Sequence, residues 1–361
     1  MGWVKTKLYV PDFKIINGNK VRVSVIVAAR NEEKNVEALI YALHNQSYSK
    51  DYLEIIIIND HSEDRTLERL RELTVDKNNF IILDLADYVS KNQLTKAYKK
   101  TAISLGIKKS KGEFIITTDA DCTMENTWVN TMVSYYLQHD VAFITGPVLF
   151  SPKPSFLSIF QFLDMAGMMV ITAASIKFKL SPMSNGANLA YPKKIFEEVK
   201  GFQNIDNIAS GDDILLMEKI YELYPQRIHY VKSDNCIVKT QPALGLREFY
   251  NQRVRWTSKT ANYKSKKIKI LLGLVYIFNL LLLLTTFYIV LKMPAYTKHL
   301  IFSWGIKLIA DFLLLYTGTS FFKNKKYLLL YLPSQLAHIL YVVIIGAFGN
   351  FSSFSWKGRK I

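Results

Sequence analysis

Paired acidic residues in the middle of the chain have the spacing that metal and diphosphate chemistry needs. Asp119 and Asp121, separated by one residue, directly follow the apolar run 114–118. Two carboxylates at the end of a buried strand repel each other unless a cation lies between them. A hard divalent ion such as Mg²⁺ or Mn²⁺ binds carboxylates together with phosphate oxygens and offsets charge on a leaving diphosphate. We therefore predict a metal–diphosphate site here, with a solvated turn as the alternative.

Acidic residues also occur at two other element ends. Asp60 follows the apolar run 53–59, where a carboxylate can accept hydrogen bonds from a uracil-like base or a ribose hydroxyl. Asp212 and Asp213 precede a helical pattern over 214–221, and Asp213 is the candidate general base for an acceptor hydroxyl. A turn or cap role remains open for Asp60, and the helix dipole accounts in part for the adjacent acids.

A basic and aromatic segment, Asn251–Trp256, precedes the first long apolar stretch. The indole of Trp256 can stack on a sugar or an acceptor, and an arginine of this segment, Arg253 or Arg255, can hold a diphosphate by two parallel hydrogen bonds. The alternative is an interfacial belt, since aromatic and basic residues commonly mark membrane edges.

Short runs rich in Val and Ile alternate with amphipathic stretches through the first half of the chain. The runs predict strands over 21–29, 53–59, 80–85, 113–118 and 141–145, and the stretches predict helices over 33–44, 63–73, 95–110 and 125–137. Ser62 is the expected N-cap of the second helix. This alternation predicts an α/β domain with a mostly parallel sheet and helices on both faces, whose ligands bind beyond the carboxyl ends of the strands.

The last quarter of the chain has a different pattern. Residues 270–291 carry no charge and are long enough to cross a hydrocarbon core of ~30 Å. Residues 299–322 and 327–351 are further candidates for membrane spans. In the second, Lys307 and Asp311 share a helix face and can neutralise each other.

Polar residues complicate two of the apolar segments. Pro333, Gln335 and His338 interrupt 327–351, which predicts a kink or a face toward a cavity. Gln161 and Asp164 interrupt 156–174, which predicts a helix at the membrane interface or a buried helix of the soluble domain. Buried core helices are the alternative for all the membrane candidates.

Positive charge concentrates around the apolar segments. The net charge is +16, and residues 266–361 hold 12 basic residues and one acidic residue. Nucleic-acid binders usually place this charge on a soluble face, so the distribution fits anionic lipid better and argues against nucleic acid. The lysines before the first span and those between the second and third belong on the cytoplasmic side. Three spans then leave Lys357, Arg359 and Lys360 outside, so either the last segment does not cross fully or the tail is an exception.

Two further features bear on the compartment. Cys122 and Cys236 have neither metal-ligand spacing nor a disulfide framework, which indicates a reducing environment. The segment after Met1 has no apolar core of the length that a signal peptide needs. We expect a cytoplasmic catalytic domain over residues 1–265 and a membrane region of about three helices over 266–361.

Taken in order, these motifs resemble those of glycosyltransferase family 2. More narrowly, they are similar to its membrane-bound branch, which includes cellulose and hyaluronan synthases and ceramide glucosyltransferase. The resemblance is carried by Val25-Ile26-Val27-Ala28-Ala29-Arg30-Asn31-Glu32-Glu33, Asp60, Asp119-Ala120-Asp121, Asp213 and Gln252-x-x-Arg255-Trp256.

The resemblance implies a GT-A fold and an inverting, metal-dependent displacement from a UDP-sugar or a similar donor. It implies that Ala29, Asn31 and Glu32 line the nucleotide pocket, that Asp60 holds the base, and that Asp119 and Asp121 contact the diphosphate and its Mg²⁺ or Mn²⁺. It also implies that Asp213 is the general base and that Gln252, Arg255 and Trp256 close over donor and acceptor. Lys99 or Lys100 falls at the family's phosphate-contacting lysine, and we assign Lys100. Asn185-Gly186-Ala187-Asn188, in a loop before a helix, resembles the acceptor-side turn, to which we add Asp212.

The acceptor follows from the size of the membrane region. A polysaccharide channel needs a wide helix bundle, so we expect a lipid or lipid-linked acceptor at a bacterial-type inner or plasma membrane. One alternative is a processive polysaccharide synthase subunit, for which a partner subunit could complete the channel. Another is a non-enzymatic cation-binding transport or scaffold protein, in which Lys307, Asp311 and His338 would line a pathway.

Overall fold

The computed structural model describes residues 2–89, 97–180, 183–292, 297–349 and 355–360. The chain divides into two compact units. Unit 1 comprises residues 1–149, 172–241 and 355–361, and unit 2 comprises residues 150–171 and 242–354. This division differs from the expected boundary at residue 265, because the helix Leu246–Ser258 packs against the helix Tyr331–Phe348.

The strands lie mainly in unit 1. They are β1 (Val23–Ala29), β2 (Leu53–Asn59), β3 (Phe80–Asp84), β4 (Phe114–Asp119), β5 (Thr123–Met124), β6 (Phe143–Thr145), β7 (Val148–Phe150), β8 (Leu189–Pro192), β9 (Ile228–Tyr230), β10 (Val238–Thr240), β11 (Ser355–Trp356) and β12 (Arg359–Lys360). In the described part of the chain, seven of them form a sheet of order β3-β2-β1-β4-β8-β6-β9. The pairs from β3 to β4 are parallel, and β8 runs antiparallel to both β4 and β6. The expected mostly parallel sheet is confirmed.

The helices before the membrane region are α1 (Gly2–Lys5), α2 (Lys14–Gly18), α3 (Val36–His44), α4 (Thr66–Thr74), α5 (Tyr98–Lys109), α6 (Trp128–Gln138), α7 (Phe156–Lys177), α8 (Lys193–Glu198), α9 (Ile214–Leu223) and α10 (Leu246–Ser258). The helices from residue 266 onward are α11 (Lys266–Lys292), α12 (Thr297–Phe321) and α13 (Tyr331–Phe348). The predicted strands and helices of the first half are confirmed, with starts shifted by up to three residues. Residues 95 and 96 of one predicted helix, and 350 and 351 of the third predicted span, lie outside the described residues.

Continuous apolar runs build the centre of the sheet. Val25–Val27 and Ile55–Ile58 are buried on both faces, as parallel strands covered on both sides require. Helix α5 approaches this layer closely at Gly106, where a Cβ atom would lie 2.7 Å from Ile26 and 2.8 Å from Ile58. The close approach fixes the start of α5 beside the ends of β1 and β2.

The expected N-cap at Ser62 is wrong. Helix α4 begins at Thr66, and the backbone N–H of Thr66 donates to the carboxylate of Asp64 at 3.0 Å. The Ser62 hydroxyl instead accepts the backbone N–H of Asn31 at 3.1 Å. The serine therefore joins two loops at the carboxyl ends of β1 and β2 rather than starting a helix.

Four helices are long and apolar enough to cross a membrane: α7, α11, α12 and the segment 325–348 that contains α13. Only 11% of the apolar window is buried in α11 and α12, against 67% in α7. In unit 2, the ammonium of Lys307 pairs with Asp311, as expected, and donates to Gln335 at 3.1 Å. The membrane candidates predicted from the sequence are thus present as helices.

Candidate functional site

The carboxyl ends of three neighbouring strands in unit 1 bring the first acidic residues together. Ala29 is level with Asn59 on β2, and Ala28 is level with Asp119 on β4. Asp60 and Asp119 therefore flank β1 on opposite sides, roughly 10 Å apart at the backbone given the usual strand spacing. A ligand beyond this edge can reach both carboxylates.

Asp60 is almost completely buried, with 2% of its surface exposed. Its carboxylate accepts two hydrogen bonds from the guanidinium of Arg359, at 2.7 and 2.9 Å. The same guanidinium lies 3.7 Å from the ring centroid of Tyr98. The adjacent His61 has a positive φ of 50°, a conformation that a non-glycine residue rarely adopts without a local constraint. The carboxylate predicted to hold a nucleobase is thus paired with a cation from the chain's last residues.

A second tail cation lies beside the predicted nucleotide pocket. The ammonium of Lys357 is 2.7 Å from the carboxylate of Glu32, and its backbone carbonyl accepts a hydrogen bond from the Asn31 side chain at 3.1 Å. Asn31 has a positive φ of 50°, and its side-chain oxygen accepts the N–H of Glu63 at 2.8 Å. Burial raises the pKa of Glu32, against the opposing charge of Lys357 and with a further rise from Asp121. Asn31, Glu32 and Asp60 therefore each contact Lys357 or Arg359.

A partly buried lysine links two of the acidic positions. The ammonium of Lys99 is 2.6 Å from Asp119 and 2.8 Å from Asp212. Burial alone would lower the pKa of Lys99, but the charges of Asp119 and Asp212 outweigh it, so the pKa is raised and the side chain stays cationic. The loop that contains Asp212 is therefore joined to the end of β4 by charge.

The structure corrects the assignment of Lys100 to donor binding. Its ammonium is buried and donates to the backbone carbonyls of Ile205, Ile208 and Ser210, at 2.7, 2.7 and 3.0 Å. Adjacent residues in a helix point in different directions, so only one of the two lysines can face the carboxylates. That lysine is Lys99, while Lys100 holds the loop before Asp212.

Asp121 completes the pair that was predicted to bind metal. Burial raises its pKa, and the negative charge of Asp119 raises it further. Across the described residues, no three His, Cys, Asp or Glu side chains could hold a metal ion by themselves. Two neighbouring carboxylates repel each other and can both bind a hard divalent ion, whose remaining ligands would be phosphate oxygens and water.

Asp213 is the N-cap of α9 and has 6% of its surface exposed. One carboxylate oxygen accepts the N–H of Ile214 at 2.8 Å and the other accepts the N–H of Gly186 at 3.2 Å. A carboxylate offers about four lone-pair positions, so these two bonds orient it without exhausting its capacity. A Cβ atom at Gly186 would lie 3.3 Å from both Asp212 and Lys99, which places this glycine beside the acidic cluster.

The predicted acceptor-side turn precedes a strand, β8, and not a helix. Asn188 is fully buried, donates to the carbonyls of Pro147 and Cys236, and accepts the indole N–H of Trp128 at 3.0 Å. These bonds occupy its side chain in the core, so it does not face an acceptor. The oxygen of Asn185 accepts the N–H of Ala187 at 3.1 Å and shapes the turn.

Gln252, Arg255 and Trp256 lie on α10 in unit 2, and each is half-buried. Arg253, between them, is buried and pairs with Asp164 of α7 at 2.5 Å. From the sequence pattern, Asp164 is only a polar interruption of an apolar segment, and nothing distinguishes Arg253 from Arg255. Lys357 and Arg359 are predicted only as charges beside the membrane. Their position after the last apolar segment gave no signal that they pair with Glu32 and Asp60.

Comparison with known proteins gives two family matches. A family model described as Glycosyl transferase family 2 matches residues 24–199, and one described as Glycosyl transferase family group 2 matches residues 114–349. The second match covers more than half of the chain, and it includes both the acidic cluster and α10.

Similar proteins agree with these matches. YdaM, a probable glycosyltransferase of Bacillus subtilis strain 168, is 26% identical over 281 residues, which cover 71% of this chain and 61% of that protein. Poly-beta-1,6-N-acetyl-D-glucosamine synthase of Staphylococcus aureus strain COL is 26% identical over 238 residues, covering 65% and 53%. The chain thus spans between half and two thirds of the length of these relatives.

A solved structure shows the same fold. The mannosyltransferase PcManGT from Pyrobaculum calidifontis, solved in complex with GDP-Man and Mn²⁺, superposes with a TM-score of 0.59 at 18% identity. The match covers 97% of this chain and 92% of that one. The expected GT-A fold is confirmed by this likeness.

Proposed function

Because this chain belongs to the family 2 glycosyltransferases, we propose that it transfers a sugar from a nucleoside diphosphate donor, a UDP-sugar, to a lipid or lipid-linked acceptor. The observation that carries the proposal is the meeting of Asp60, Asp119 and Asp121 at the carboxyl edge of the parallel sheet. Open α/β sheets bind their ligands at this edge.

The donor lies along this edge in the proposal. Its base donates an N–H to the carboxylate of Asp60, and Ala29, Asn31 and Glu32 line the pocket. Arg359 leaves Asp60 when the base binds, and together with Lys357 it contributes positive charge that favours a diphosphate. Lys99 keeps Asp119 and Asp212 in position and offers a cation for phosphate oxygens.

Asp119 and Asp121 would hold a Mg²⁺ or Mn²⁺ ion together with the donor phosphates. When bound, such an ion neutralises charge that develops on the departing diphosphate. The raised pKa of Asp121 supports this assignment, because burial and the charge of Asp119 both disfavour its ionised form and a bound cation would offset them. The match to hard oxygen ligands makes a divalent ion of this class the appropriate occupant.

Asp213 is the proposed general base, taking the proton from the acceptor hydroxyl as that oxygen attacks the sugar with inversion. Its bonds to Ile214 and Gly186 fix the carboxylate below the Gly186 turn. A fixed orientation favours proton transfer, since a general base must lie within hydrogen-bond reach of the proton. Gln252, Arg255 and Trp256 are proposed to close over donor and acceptor.

We propose a membrane arrangement from the order in which the chain passes between the two units. The chain leaves unit 1 at residue 150 and at residue 242, and it returns both times. With unit 1 on one face of a membrane, each excursion crosses an even number of times. We therefore propose that α11 and α12 cross, that α13 does not cross fully, and that α7 remains at the surface or inside the protein. The lysines at both ends of this pair and the tail cations then all lie on the cytoplasmic side, as the positive-inside rule favours.

The experiment is metal-dependent release of the nucleoside diphosphate. Purified protein in detergent with Mn²⁺ is expected to release UDP from a UDP-sugar, and Asp121→Asn to reduce the rate at least ~100-fold. Asp76→Asn, at an exposed surface position, is the matched control and should retain activity. Absence of both release and metal-dependent nucleotide binding for every donor would refute the enzyme and favour a cation-binding membrane protein.

Product length separates the lipid acceptor from its main alternative. A single transfer to a lipid is expected to give one product or a few. A ladder of sugars would favour a processive synthase, the activity named for the Staphylococcus aureus relative.

A further inference from the structure

Helix α10 carries an arginine to which none of the roles above applies. Arg253 has 3% of its side chain exposed, and its guanidinium lies 2.5 Å from the carboxylate of Asp164, which is 6% exposed. Both residues belong to unit 2. The second oxygen of Asp164 accepts the hydroxyl of Tyr341 at 3.1 Å. This is a buried ion pair with one additional hydrogen bond.

Aromatic rings surround the guanidinium. The carbon at its centre lies 4.5 Å from the ring centroid of Trp256, 4.8 Å from that of Phe249 and 5.2 Å from that of Tyr341. Phe249 and Tyr341 also contact each other edge to face, with centroids 5.8 Å apart. Attraction between a cation and an aromatic face is strongest with tryptophan and grows when both are removed from water. Arg253 therefore restrains the orientation of the Trp256 indole.

A purely structural role explains this arrangement poorly. A buried ion pair rarely stabilises a protein more than apolar side chains of similar volume do, because both charges lose hydration. In addition, Nε and Nη2 of Arg253 have no hydrogen-bond partner in the described part of the chain. Aromatic faces are the main neighbours of the cation, so its best-defined effect is on the rings.

We propose that Asp164 and Arg253 are positioning residues for Trp256. Asp164 fixes the guanidinium and the Tyr341 hydroxyl, and the guanidinium holds the indole by stacking. Neither residue touches substrate, and both act through Trp256. This inference rests on the proposed function, in which Trp256 closes over donor and acceptor.

The test is a double-mutant comparison of nucleotide release. Arg253→Lys keeps the charge but lacks the planar face, and it is expected to lower kcat about tenfold. Asp164→Asn is expected to lower kcat by a similar factor. Both expectations follow because small displacements of binding groups cost up to ~100-fold in rate. Trp256→Phe should lower kcat as well. In the Trp256→Phe protein, adding Arg253→Lys should lower kcat less than about twofold, because the indole that Arg253 positions is already absent. Independent, multiplying losses would overturn the proposal, as would full activity of Arg253→Lys.

Controls separate positioning from stability. Asp311→Asn breaks a second ion pair of unit 2, in which Lys307 is buried and Asp311 partly exposed, and it should lower the melting temperature without changing kcat beyond about twofold. If Arg253→Lys does not fold, Tyr341→Phe removes only the hydroxyl that donates to Asp164 and should lower kcat about threefold. An unchanged kcat for Tyr341→Phe and Asp164→Asn would also overturn the proposal. Lack of release by the unmodified protein would instead refute the proposed function.

Discussion

The guanidinium of Arg359 and the carboxylate of Asp60 form two parallel hydrogen bonds, at 2.7 and 2.9 Å, between residues 299 positions apart in the chain. The pair connects the segment 355–360 to the end of β2, beside the carboxylate that we propose for the donor base. In that proposal, binding of the base changes the partner of Asp60.

Replacement of Arg359 tests whether the tail belongs to the donor site. Arg359→Ala is expected to raise the donor KM about tenfold, the equivalent of one charge-assisted hydrogen bond. Arg359→Lys should give a smaller rise, because lysine keeps the charge without the two-bond geometry. Lys108→Ala, at an exposed position near the end of α5, is the control. A lower KM for Arg359→Ala would contradict this, because it would show that competition between Arg359 and the base for Asp60 outweighs any contribution of Arg359 to diphosphate binding.

Replacement of the two adjacent lysines of α5 is expected to affect different properties, activity for Lys99 and stability for Lys100. Lys99→Met leaves Asp119 and Asp212 without their shared cation, and it should lower kcat/KM about 100-fold with a modest effect on melting temperature. Lys100→Met removes the donor of three buried carbonyls and should destabilise the protein by about 3 kcal/mol. Thermal unfolding and UDP release measured on both proteins check this division. Loss of activity only in Lys100→Met would restore the original assignment.

Replacement of Asp212 and of Asp213, each in turn, tests which of them is the general base for the acceptor hydroxyl. Asp213→Asn keeps a side chain of the same size but cannot take a proton, so kcat should fall about 100- to 10,000-fold while donor binding is retained. Asp212→Asn should mainly weaken donor binding through Lys99. Steady-state kinetics with varied donor measure both effects. A larger loss of kcat in Asp212→Asn would move the base to that residue.

The proposed even number of membrane crossings predicts which residues share a face. Cys122 and Cys236 are buried, so single added cysteines can be labelled selectively with a membrane-impermeant maleimide. Lys360→Cys and Lys108→Cys are expected to react from the same side of sealed vesicles, and Lys298→Cys at the start of α12 from the other. Reaction of position 360 together with position 298 would show that α13 crosses.

His229 predicts a dependence of stability on pH. Burial and the neighbouring His139 lower its pKa to about 4, and its Nδ1 lies 3.0 Å from the Tyr135 hydroxyl. An unfolded histidine takes up a proton below about pH 6.5, so between these values the unfolded chain binds more protons and stability falls as the pH falls. Above pH 6.5 the residue contributes no dependence. His229→Gln should flatten the melting-temperature profile between pH 6.5 and 4, and an unchanged profile would contradict the prediction.

Much of the fold could be predicted because its causes are local. Apolar runs of Val and Ile, such as those of β1 and β2, determine strands wherever both faces are covered. The charge-free stretch after Lys269 is long enough to give a helix that could cross a membrane. The order of the acidic motifs placed Asp60 and Asp119 at strand ends, and the register of β2 and β4 on β1 brought them to one edge.

Other features depend on contacts between distant segments, and local patterns carry no information about them. The direction of each side chain on α5 decides whether Lys99 or Lys100 faces the carboxylates. That direction cannot be read from the sequence, because the predicted start of a helix is uncertain by a few residues. Asn188 looks like a site residue until its hydrogen bonds to Pro147, Cys236 and Trp128 place it in the core.

The sequence alone determined the sheet, the apolar helices and the order of the acids, because hydrophobic periodicity and charge-free length act over a few neighbouring residues. Tertiary structure decided that Arg359 reaches Asp60, that Arg253 lies between Asp164 and Trp256, and that Lys99 rather than Lys100 bridges the acids. A buried charge must find an opposite charge or a polar partner. Which partner it finds depends on how the whole chain packs.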